Sequence, residues 1–163
     1  MQKRQLKFKK GGNIMNGCMN CYRKSTLTAT GFSATIPANG TLTFGTTTKV
    51  TGNAIEMGEN NTTINLKRAG LYLISVSATA TGSADNEFVS MQLNRNNVAI
   101  TDGFASFKPA TALNNAESMS FTTIVEVDNT NSTNGKPFIP ISITNTGQQA
   151  DYTFSRITVV KIA

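Results

Sequence analysis

The sequence predicts an all-β domain, a sandwich of two antiparallel sheets with about ten strands. Three observations carry that prediction. The runs Leu71–Ala80 and Asp151–Ala163 are dense in aromatic and β-branched residues and alternate at the period of a strand. No stretch keeps a helical period over a useful length. Clusters of Gly, Asn, Asp and Pro punctuate the chain at short intervals, as turns between strands do.

Taken in order, Thr26–Thr30 alternates, Pro37–Gly40 reads as a turn, and Gly40–Phe44 alternates again. Residues Thr47–Ile55 read as a strand, Met57–Asn61 as a turn, and Thr62–Leu66 as a short strand. Leu71–Ala80 is the strongest element. Its face of Tyr72, Ile74, Val76, Ala78 and Ala80 is expected to meet the core. Its other face, Leu71, Leu73, Ser75, Ser77 and Thr79, is apolar at one end and small and polar at the other, which suits a contact between subunits. Gly82–Asn86 is a loop, Phe88–Asn94 a strand, Asn96–Asn97 a turn into Val98–Ile100, and Asp102–Gly103 a further turn. Residues 104–116 read as an irregular crossing. Ser118–Val127 is a strand, Asp128–Gly135 a long polar loop, and Pro137–Thr144 a strand whose prolines sit near its start, where a missing donor is least harmful. The terminal run closes the fold and is expected to be paired inside a sheet.

Charge divides the chain in two. Residues 1–25 are read as a basic arm and 26–163 as the β domain. Up to Lys24 the arm carries seven basic residues and no acidic one; the remainder holds eight basic and nine acidic residues, so the net charge of +6 belongs to the arm. Charged residues are only 15% of the chain, against about 25% in ordinary proteins. The surface is therefore built from Thr, Ser and Asn, a composition suited to large contacts in which a buried charge would need a partner. Within the arm, Lys3, Arg4, Lys7, Lys9 and Lys10 are interleaved with Leu6 and Phe8. Alternation of this kind favours an extended segment anchored on another surface. No apolar run long enough for a signal peptide or a spanning helix follows it. The arm's charge fits an acidic protein face; binding to nucleic acid is a lesser expectation and to membrane none.

Little catalytic chemistry is available. The chain has no histidine, which excludes a histidine-based triad or proton shuttle. Its nine carboxylates fall mostly in or beside turns. Cys18 and Cys21 supply half of a tetrahedral zinc site without a second pair. They are read as free thiols, with a metal shared between copies or a local disulfide as the other states. No enzyme activity and no cofactor is expected.

Ala69-Gly70-Leu71-Tyr72-Leu73-Ile74-Ser75-Val76 resembles the Gly-x-Tyr strand of the tumour-necrosis-factor and complement-type jelly roll. Phe88–Val98, Ser118–Val127, Pro137–Thr144 and Phe154–Ile162 resemble that family's later strands in order and spacing. The likeness covers roughly residues 26–163. It leans toward bacterial and phage members, such as the carboxyl-terminal domain of collagen-like spore-surface glycoproteins, although no Gly-x-y repeat precedes the domain here. The resemblance implies a ten-stranded jelly roll that forms a tight trimer. In the family, the sheet holding the Gly-x-Tyr strand and the terminal strand faces the three-fold axis. Carried onto this chain, it makes Leu71, Leu73, Phe138, Tyr152 and Phe154 the expected trimer contacts.

Together these features lead to an expected function: a non-enzymatic bacteriophage virion protein on the particle surface, a trimeric head decoration, head fibre or spike knob fastened by its arm. The alternative is an adhesin for a host receptor or glycan, using the loops at 82–87, 103–116 and 128–136.

Overall fold

A computed structural model describes residues 24–111, 115–128, 132, 133 and 136–163. The expected arm contacts and the Cys18–Cys21 pair lie outside the described residues. Among the described residues thirteen strands follow one another: β1 (Thr26–Gly31), β2 (Ala34–Ile36), β3 (Thr46–Thr51), β4 (Ile55–Met57), β5 (Thr63–Leu66), β6 (Gly70–Gly82), β7 (Val89–Arg95), β8 (Val98–Phe107), β9 (Glu117–Val127), β10 (Ser132–Thr133), β11 (Lys136–Pro137), β12 (Ile139–Thr144) and β13 (Ala150–Lys161). They form two antiparallel sheets. One is six-stranded, in the order β3-β1-β13-β6-β9, with β2 beside β13; the other is five-stranded, in the order β4-β5-β12-β7-β8. β10, inside the segment read as a polar loop, and β11, just beyond it, make a small separate hairpin.

Alternation decides what lies between the sheets. Tyr72, Ile74, Val76, Ala78 and Ala80 are all buried, as the β6 pattern requires, and Met119, Phe121 and Val125 of β9 continue that layer. Ile139, Ile141 and Ile143 of β12 face them from the second sheet, with Val89, Met91 and Leu93 of β7. Burying each such aliphatic side chain stabilises the fold by about 1.5–3 kcal/mol. The flank where β8 lies against β9 is closed.

All strands of both sheets start or finish at one of two ends. The base gathers Ser25, Leu66, Gly70, Arg95, Val127 and Lys161; the apex gathers Gly82, Val89, Phe107, Glu117, Thr144 and Ala150. Residue Lys24, where the arm region joins the domain, is at the base, its carbonyl bonded by Thr51 Oγ1 at 3.1 Å.

Several elements depart from their expected form. Thr47–Ile55 is two strands in different sheets, because Gly52 at φ 70° turns the chain across the sandwich. Gly40–Phe44 makes a single bridge, Thr41 to Thr144, yet it buries Leu42 and Phe44. Asp102–Gly103 is not a turn. It lies in a β-bulge, and β8 runs on to Phe107 through residues read as an irregular crossing. The Gln92 amide repairs the disrupted ladder by donating from Nε2 to the carbonyls of Leu93, Ile100 and Gly103 at 2.7–3.1 Å. A buried polar group satisfied in this way keeps the bulge inexpensive.

Candidate functional site

β6 and β13 lie side by side over their whole lengths, from Leu73 opposite Val160 to Gly82 opposite Ala150. Their outward residues, together with those of β1 and β9, form one continuous face on the outside of the six-stranded sheet.

Strand pairing sets that face out in rows. Nearest the base, Ile162 donates its backbone N–H to the Leu71 carbonyl at 2.8 Å, and Leu71 is opposite Glu126. The next row reads Thr26, Val160, Leu73 and Ile124 across β1, β13, β6 and β9. Leu71, Leu73, Ile124, Val160 and Ile162 thus form an apolar cluster, with Ile124 55% and Ile162 47% exposed. Above it lies a belt of hydroxyls: Thr28, Thr158, Ser75 and Thr122 in one row, and Thr30, Ser77 and Ser120 with Arg156 in the next. The hydroxyls bond across strands. Thr28 and Thr158 are 3.3 Å apart, Thr122 donates to Ser75 at 3.1 Å, and Thr79 and Ser118 are 2.9 Å apart. A polar face that satisfies itself sheds little hydrogen bonding when it is covered. Toward the apex, Phe154 stands 44% exposed opposite Thr79.

Leu71, Leu73 and Phe154 therefore lie on one face, as expected from their place in the sequence. Tyr152 does not. A bulge between Tyr152 and Phe154 shifts the β13 register, so that the two aromatics point to opposite sides. The Tyr152 ring is in the core and its hydroxyl donates to the Ser90 carbonyl at 2.9 Å. Burial pushes its phenol well above the ordinary value of 10.0. No part of it is available to a neighbouring subunit. Phe138 is also displaced, for a topological reason: it leads into β12, which belongs to the five-stranded sheet. Tyr72, the aromatic of the Gly-x-Tyr strand, is a core residue whose hydroxyl donates to the Arg68 carbonyl at 2.6 Å. Its phenol is raised by burial, against smaller lowering effects of that bond and of the Arg68 charge.

Sequence reasoning missed Ile124, Val160 and Ile162. The signal existed in β9, where the outward register reads Ser118, Ser120, Thr122, Ile124 and Glu126, with one aliphatic among polar residues. It was invisible without knowing that Ile124 and Val160 flank Leu73.

Of the loops assigned to a possible adhesin, the described residues 82–87 and 108–111 are at the apex, whereas Val127 and Asp128, which lead into the third, are at the base. Two amides fix the apical loops. Asn145, fully buried, donates from Nδ2 to the carbonyls of Ile36, Pro37 and Gln148 and accepts from the Gly147 N–H. Gln148 donates to the carbonyls of Ala84 and Glu87 and accepts from the Ala84 N–H. Phe88, 57% exposed, stands on this platform with the Lys108 ammonium 5.7 Å from its ring centre.

No family model matches the sequence, and no curated protein does either. Solved structures do match. The Eiger TNF of S. frugiperda superimposes with a TM-score of 0.68 at 13% identity, over 86% of this chain and 94% of that one. The fold is a jelly roll. The globular domain of zebrafish complement 1qA protein gives 0.63 at 10% identity, over 86% of this chain and 98% of its own. The PRD1 vertex protein P5 gives 0.52 at 18% identity, over 86% and 97%.

Proposed function

We propose that the chain is a non-enzymatic structural protein of a bacteriophage virion: a trimeric knob on the particle surface, a head decoration, head fibre or spike, held by its basic N-terminal arm. One observation carries the reading. The outer face of the six-stranded sheet combines an exposed aliphatic cluster with a belt of hydroxyls already bonded to one another. Such a face is costly to leave in water and inexpensive to cover with another copy. It lies on the sheet that the jelly-roll resemblance assigns to the three-fold axis. A likeness in fold to a phage vertex protein supports a place on a virion. The arm's seven charges fit attachment to an acidic surface.

The test is twofold. Light scattering on the purified full chain is expected to give three times the 17.4 kDa chain mass. Antibody labelling of intact particles is expected to mark their outer surface. A monomer, or particles without label, contradicts the reading.

A second reading is supported by the apex. Rigid loops presenting Phe88 fit a receptor- or glycan-binding adhesin, since exposed aromatics stack on sugar rings. A glycan array that recognises the wild-type chain but not Phe88→Ala would favour it; an array with no bound glycan would remove it.

A further inference from the structure

The domain is polarised along its strands. At the apex lie Asp85, Glu87, Glu117 and Asp151, with Lys108 the basic residue among them. At the base lie Lys24, Lys67, Arg68, Arg95 and Lys161, with Glu56, Glu126 and Asp128. Lys67 is committed to Glu56 at 2.7 Å, and the Lys161 ammonium donates to the Ala163 carbonyl. Arg68 is exposed and Arg95 half-buried, each projecting from a chain reversal, after β5 and at the end of β7.

We infer that this basal face is itself a docking surface, continuous with the arm, and that its occupant is an acidic face of another protein in the particle. The inference rests on the anchoring reading above and extends it from the arm to the folded domain. Continuity is direct: the arm region enters the domain at Lys24, which Thr51 ties to the basal end of β3. The arm and the base then present an excess of cations to one partner, five basic residues against three carboxylates at the base, while at the far end four carboxylates outnumber Lys108. One feature favours protein over nucleic acid. The carboxylates Glu126 and Glu56 interrupt the basic residues, which breaks a continuous phosphate track but suits discrete pairing across a protein interface.

The experiment uses the full chain and fluorescein-labelled poly-L-glutamate, read by anisotropy, with duplex DNA of similar charge as the second probe. Arg68→Glu and Arg95→Glu are each expected to weaken poly-glutamate binding about threefold, as rim charges do. Lys108→Glu makes the same charge change at the apex and is expected to leave binding within about twofold. Circular dichroism and light scattering confirm that each variant is folded and assembled as the wild type. Equal losses from basal and apical variants would show an effect of net charge alone and overturn the inference. Basal variants that bind as the wild type would overturn it too. Tighter, base-dependent binding to DNA would replace the protein partner with nucleic acid. A mass that climbs at low salt would make the acidic apex of another copy the occupant. A chain with Lys3, Arg4, Lys7, Lys9 and Lys10 changed to Ser separates the two levels. If it loses binding while the basal variants keep it, the arm anchors alone; if it too binds as the wild type, the anchoring reading itself falls.

Discussion

The outer faces of the two sheets are built from similar residues and do different things with them. On the five-stranded sheet the polar groups close on one another. Asn94 donates to Thr144 at 2.8 Å, Ser90 and Thr146 are 2.8 Å apart, and Gln92 ties up the β8 bulge. On the six-stranded sheet the hydroxyls also pair, but they share their face with Leu71, Leu73, Ile124, Val160 and Ile162. On the first face Phe104 stands 47% exposed on the edge strand β8, opposite Gln92. On the second the apolar residues gather on the adjacent strands β13, β6 and β9 and form one cluster. An inward alternation tells that a strand has a core; the residues on its outward register tell whether the sheet has a partner.

The sharpest way to break this comparison is to charge one face and then the other. Leu73→Asp with Ile124→Asp is expected to reduce the light-scattering mass from trimer to monomer while the far-ultraviolet spectrum stays that of a β protein. Ser142→Asp, on the five-stranded sheet, is expected to leave the mass unchanged.

Next in size is a contrast between the two sides of β6. Ile74→Ala opens a cavity in the core and is expected to cost about 2–5 kcal/mol in denaturant unfolding. Ser77→Ala, outward on the same strand, is expected to cost less than about 0.5 kcal/mol.

Alkaline titration sharpens the same contrast. Tyr72 and Tyr152 are buried and their phenols are raised above 10.0. Above pH 10 the unfolded chain loses those protons and the folded chain keeps them, so stability is full below 10 and falls as pH rises beyond it. The slope for two such phenols is at most about 2.7 kcal/mol per pH unit. Phenolate absorbance is expected to show two of the three tyrosines ionising only as the chain unfolds.

Smaller still, Tyr152→Phe leaves the buried Ser90 carbonyl without its donor and is expected to cost about 1–2 kcal/mol. Below that, Lys67→Ala removes an exposed ion pair with Glu56 and is expected to change stability by less than about 1 kcal/mol.

Much of the fold was legible because the strands that matter most have the clearest alternation. β6 could be divided correctly into core and outer faces from its sequence. Where the reading failed, the cause was non-local. Tyr152 and Phe154 are two apart and share a face in any regular strand; one extra residue in the ladder separates them, and nothing in the local sequence marks the bulge. Phe138 was assigned to the wrong sheet because its sequence describes a strand and not that strand's neighbours. The Asp102–Gly103 pair carries a turn signal, and the bulge that replaces the turn depends on an amide ten residues earlier, Gln92. Ile124, Val160 and Ile162 became part of the site only when pairing placed them around Leu73.

The central claim is that three copies close over the Leu73 face. Light scattering on the full chain, at a salt concentration high enough to screen the arm, measures that most directly. A mass of three times 17.4 kDa, falling to 17.4 kDa in the Leu73→Asp, Ile124→Asp variant, is the predicted result. A wild-type mass of 17.4 kDa, or a trimer that survives both charges, would contradict it.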